Sequence, residues 1–151
     1  MLESMEFGNL DLDAVKHRLC ELLELRPEVL EAYLFGSVAR GEDERHSDID
    51  VAVFVDQEVA DGGGFGYRAK LTTDLMAGLG TNSIDVVILN QAHPLLYHRV
   101  LRDGIRLLSR DLRATTTREA RALSRYCDFV PQLDKVDRAP ARVRAPEIPQ
   151  P

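Results

Sequence analysis

Asp48 and Asp50, two residues apart in the apolar run DIDVAVFV, are the pair whose chemistry most needs explaining. On a strand their side chains leave the same face. At a rise of about 3.3 Å per residue they sit roughly 6–7 Å apart at Cβ, close enough to converge on one or two cations. Two-metal sites for phosphoryl and nucleotidyl chemistry hold their ions about 3.5–4 Å apart. Oxygen ligands without Cys or His favour Mg²⁺ or Mn²⁺ over zinc. A third carboxylate, Asp85, is the only charge in the next apolar run, SIDVVILN. If the two strands are neighbours, it completes the cluster. The plainer alternative has Asp48 capping a turn and Asp50 facing solvent, which leaves Asp85 unexplained. A calcium loop does not fit, because the alternating acids run into Val51 and Ala52 with no glycine turn. His46 abuts the acids, but magnesium prefers oxygen, so it is read as a loop histidine.

Upstream, LFGSVARGE places Gly36-Ser37 between an apolar strand and a plausible first helical turn. Glycine permits close backbone approach, and exposed amides with a serine hydroxyl suit a phosphate. Gly-Ser also marks ordinary turns, and no G-K-[ST] follows, so this is not a Walker loop. DGGGFG, residues 61–66, reads as a flexible loop rather than a phosphate cradle, since no strand leads across it into a helix.

These groups must be positioned by alternating helices and strands. Leu12, Val15, Leu19, Leu22 and Leu23 recur at helical spacing, with Asp11 or Asp13 as N-cap and Pro27 as terminator. Strands are predicted over 32–35 and 48–55, the second with Ile49, Val51, Val53 and Val55 on one face and the acids on the other. A helix follows over 67–79, then a strand from 83, a helix over 94–103 containing Tyr97 and His98, and a short strand, IRLLS. The last helix, TTTREARALSRYCDFV, sets Arg118, Arg121 and Arg125 on a basic face for partner docking. Leu123, Tyr126 and Val130 form the stripe expected to pack on the body. Beyond Pro131 the proline-rich sequence predicts a disordered tail. The expected fold is α/β (α+β), a small mixed sheet flanked by helices. Residues 1–110 make the core, 111–133 a C-terminal helix and 134–151 the tail.

The chain has 151 residues and a net charge of −6, so a broad footprint for nucleic acid is not expected. From Arg110 onward the balance is +3 against −9 for the rest, an acidic body with a basic tail. Cys20 and Cys127 have no metal or disulfide spacing, which fits a reducing compartment. The acidic start and the short apolar runs predict a cytoplasmic protein with no signal peptide and no membrane span.

Taken together, Gly36-Ser37, ten intervening residues, Asp48-Ile49-Asp50 and a later Asp85 resemble the DNA polymerase β-type nucleotidyltransferase superfamily. GSVARGEDERHSDIDVAV looks like its minimal members, the MNT antitoxins of HEPN/MNT toxin–antitoxin pairs, over roughly residues 10 to 110. The resemblance implies that Gly36 and Ser37 hold triphosphate and that Asp48 and Asp50 bind two Mg²⁺ ions (or Mn²⁺). It further implies that Asp85 ligates the ion beside the acceptor hydroxyl and assists its deprotonation. Arg40 lies in the same motif, either at the nucleotide or paired structurally with an Asp. The implied activity is AMP transfer from ATP to a tyrosine of a cognate HEPN ribonuclease toxin, with which the protein forms a hetero-oligomer. Two alternatives remain: an antitoxin acting by binding alone with a vestigial nucleotide site, and an antibiotic nucleotidyltransferase. Related RNA-extending enzymes need extra domains for which this chain has no room.

Overall fold

The computed structural model describes residues 11–41, 48–62 and 64–137. Four strands, β1 (Val29–Phe35), β2 (Ile49–Val55), β3 (Ile84–Ile88) and β4 (Ile105–Ser109), form one sheet in the order β3-β2-β1-β4. β1 is antiparallel to both β2 and β4, whereas β2 and β3 are parallel, so the sheet is mixed as expected. The helices are α1 (Leu12–Glu24), α2 (Gly36–Ala39), α3 (Gln57–Asp61), α4 (Gly64–Leu79), α5 (Pro94–Asp103) and α6 (Leu112–Asp137).

Alternation along β2 divides the molecule into two layers. Ile49, Val51, Val53 and Val55 join Ala32 and Leu34 of β1 in a core covered by α1 and α4. Val15, Leu19 and Leu23, at i, i+4 and i+8, are the buried stripe of α1, and the Asp11 carboxylate caps it by accepting from the Asp13 amide. Ala52 of β2 and Tyr33 and Phe35 of β1 turn to the opposite face, where Tyr97 and Val100 of α5 and Ala122 of α6 cover them. Asp50 shares that second face. Arg110 ties the start of β1 to the end of α1, its guanidinium donating to the carbonyls of Leu23, Glu24, Arg26 and Val29.

Several expectations need correction. Only residues 62 and 63 separate α3 from α4, so most of DGGGFG is not a loop: α3 ends at Asp61 and α4 begins at Gly64. Tertiary support outweighs the roughly 1 kcal/mol that each helical glycine costs. α6 runs through Pro131 to Asp137, although proline removes one intrahelical donor. Residues 134–137, expected in the tail, are therefore helical; the tail from 138 onward and His46 lie outside the described residues. Among the described residues, no helix is long and apolar enough to cross a membrane.

The phase of α6 also differs from the expectation. Its buried residues are Thr115 and Ala122, while Leu123 is 44% exposed. Arg118, expected on the outer basic face, turns inward. Its Nε donates to Glu31 Oε1 at 2.8 Å, and its guanidinium lies 4.8 Å from the centre of the Phe54 ring. Glu31 is fully buried in β1 opposite Phe54, and a buried carboxylate demands a cation more strongly than Leu123 demands burial. Tyr126 does pack inward, stacking on His98 of α5 at 3.6 Å. Tyr97 is the buried aromatic of α5.

Candidate active site

Parallel pairing of β2 with β3 sets the Cα of Asp50 opposite that of Asp85. Strands lie about 4.8 Å apart and paired residues face the same side, so these two carboxylates share one surface. The Ile49 amide donates to the Ser83 carbonyl at 2.8 Å, which fixes Asp48 at the same end of the sheet. The condition attached to Asp85, that its strand be the neighbour of β2, is met.

On the other side of β2, Phe35 pairs with Asp50, and the chain leaves β1 through Gly36 into α2. Gly36 has a φ of +76°, and a Cβ there would lie 2.0 Å from Asp50 Oδ2. Glycine is required twice, for the left-handed backbone and for the room the carboxylate occupies. Ser37 follows, half-buried. Because α2 has only four residues, little macrodipole is available, and backbone amides and the hydroxyl are what this turn offers an anion.

The electrostatics show crowding of negative charge. Burial, then the charges of Asp85 and Asp48, push the Asp50 carboxyl up to about 6, with Arg40 pulling it back. Arg40 Nη1 stands 3.8 Å from Asp103 Oδ2 of α5, so a structural pairing with an Asp exists, and its charge also acts on Asp50. Asp85 has a partner that sequence reasoning missed. Arg68 of α4 donates from Nη2 to Asp85 Oδ1 at 3.1 Å and from Nε to the Val86 carbonyl at 2.6 Å. Nothing local marks Arg68, which lies seventeen residues from Asp85 on a different element. Among the described residues, no three Asp, Glu, His or Cys side chains converge tightly enough to enclose an ion. The backbone thus places all three carboxylates at one end of the sheet, while the side chain of Asp85 is held by Arg68.

A family model described as polymerase beta, nucleotidyltransferase, matches residues 17–113. A protein of Methanocaldococcus jannaschii, named as a candidate protein adenylyltransferase, is 32% identical over 99 residues, 66% of this chain and all of that one. The crystal structure of a toxin–antitoxin with AMP-PNP superimposes with a TM-score of 0.63 at 25% identity, covering 80% of this chain and 97% of that chain. The Shewanella oneidensis tri-AMPylated HEPN toxin in complex with its MNT antitoxin gives a TM-score of 0.59 at 22% identity, covering 83% of this chain and 98% of that one, a likeness of fold.

Proposed function

The chain belongs to the polymerase beta nucleotidyltransferase family, and we propose that it is an antitoxin that moves AMP from ATP onto a tyrosine of a cognate HEPN ribonuclease toxin. The observation that carries this reading is the facing of Asp50 and Asp85 across β2 and β3, with Gly36 leaving room for the Asp50 carboxylate. Burial and the two neighbouring acids push the Asp50 carboxyl up to about 6, the kind of perturbation that clusters at functional sites.

The donor set fits a hard divalent ion, being all carboxylate oxygen and strongly negative. Asp48, Asp50 and Asp85 would hold two Mg²⁺ (or Mn²⁺), which when bound neutralise phosphate charge and clamp an in-line displacement. The chain's own residues do the rest. Gly36 and Ser37 hold the phosphates, and Arg40 adds positive potential beside them. Asp85 accepts the proton from the acceptor hydroxyl. Attaching AMP places a bulky anion on the toxin. The acceptor comes from a protein partner in a hetero-oligomer, so no nucleic acid is called for, and the cytoplasm supplies the ATP.

A second reading, inhibition by binding alone, has the Arg68–Asp85 pair on its side, since that pair occupies an acid the reaction requires. Labelled ATP, Mg²⁺ and the purified toxin separate the readings. Label on the toxin supports transfer, none supports binding alone, and label on a small acceptor points to an antibiotic-type enzyme.

A further inference from the structure

We infer that a cleft along the β3 edge, lined by Ala60, Arg68, Val87, Gln91 and Leu96, seats the ring of the tyrosine that receives AMP. The inference rests on the transferase reading above and names the part of the site that positions its protein substrate.

The strand order decides which side the acceptor enters. Gly36-Ser37 leaves β1 on one flank of Asp50, and Asp85 lies on β3 on the other. In phosphoryl-type transfer the attacking and departing oxygens lie roughly in line through phosphorus. With the departing pyrophosphate held at Gly36-Ser37, the attacking oxygen comes from the β3 side. The cleft is on that side, with a volume of about 540 Å³. Val87, in its wall, lies two residues beyond Asp85 on the same face of β3, about 6–7 Å along the strand. A phenol packed on Val87 and Leu96 with its hydroxyl toward the start of β3 spans the distance to the Asp85 carboxylate.

The polar groups of the cleft divide cleanly. Asn90 is already committed, its amide accepting from the Val55 N–H at 3.0 Å and donating to the Val55 carbonyl at 2.8 Å. Arg68 spans the boundary between cleft and carboxylate, held by the Val86 carbonyl and Asp85. Its fixed positive charge faces the phenolic oxygen as that oxygen loses its proton. In the step itself the phenolic oxygen bonds to the α-phosphorus, the bond from that phosphorus to pyrophosphate breaks, and the proton passes to Asp85.

The test compares wild type with Leu96→Trp, which fills the cleft, and Gln91→Trp, an exposed position on its rim. Three quantities are read for each: MgATP affinity, association rate with the purified toxin, and rate of AMP transfer within the complex. A thermal melt checks folding. The expected result is transfer slowed about ten-fold or more in both variants, with MgATP affinity and toxin association unchanged. Unchanged transfer overturns the inference. A parallel fall in MgATP affinity overturns it in favour of a nucleobase pocket, and a fall in toxin association alone in favour of a docking contact. If Leu96→Trp does not fold, Gln91→Trp decides. Failure of the wild type to label its toxin is a separate result, which removes the transferase reading itself.

Discussion

The Asp50 carboxyl, normally near 3.8, is pushed up to about 6, first by burial and then by Asp85 and Asp48. A raised carboxyl pKa means that the folded protein binds the proton more tightly than the unfolded chain. The penalty is therefore absent below about pH 4, grows between pH 4 and 6, and is complete above about 6. The displacement is worth at most about 3 kcal/mol, and solvent screening of a half-buried group brings that to about 1 kcal/mol. Without Mg²⁺, Asp50→Asn should thus melt higher than wild type at pH 7.5, with the gap closing at pH 4, while transfer is abolished. Equal melting at both pH values would remove the charge crowding on which the site is built. Ser37→Ala should lower kcat/KM for ATP about ten- to a hundred-fold, the loss of a hydrogen bond of about 1.5–3 kcal/mol to a charged group, and leave toxin binding intact. Unchanged kcat/KM would take Ser37 out of the nucleotide site. Gly36→Ala combines a left-handed backbone with a 2.0 Å collision against Asp50. It should cost about 1–3 kcal/mol, read from the urea midpoint, and displace the carboxylate as well.

At the scale of elements, alternation made β2 legible in the sequence, and the i, i+4, i+8 stripe did the same for α1. The phase of α6 was not legible, because it depends on Glu31, a buried charge in an otherwise apolar strand that no periodicity assigns to a particular arginine. Arg118→Ala should cost about 3–5 kcal/mol, since it leaves that carboxylate buried without its cation. A urea midpoint within error of wild type would show that the pair contributes nothing. Arg121 and Arg125 remain exposed, so the docking proposal passes to them without Arg118. Reversing both to Glu should leave stability within about 0.5 kcal/mol and slow toxin association most at low salt. An unchanged association rate would place docking elsewhere. The two-helix arrangement over 57–79 was hidden for a different reason: glycines that read as a loop in isolation are held helical by packing of Leu71 and Leu75 in the core.

For the whole molecule, the decisive fact is the sheet order. The sequence supplies three acids and a Gly-Ser turn, but their meeting depends on β3 pairing in parallel with β2, which no local signal encodes. The Arg68–Asp85 pair is likewise a product of tertiary arrangement. The negative charge before residue 110 and the exposed arginines on α6 are in keeping with the protein partner proposed above. On the proposed mechanism this partner leaves the encounter carrying AMP. Co-expression with the cognate toxin, followed by intact mass measurement of the toxin, reads that transfer. The toxin should be heavier by whole AMP units beside wild type and unmodified beside Asp48→Asn/Asp50→Asn. A toxin neutralised by the wild type yet unmodified in mass would rule out AMP transfer as the means of inhibition.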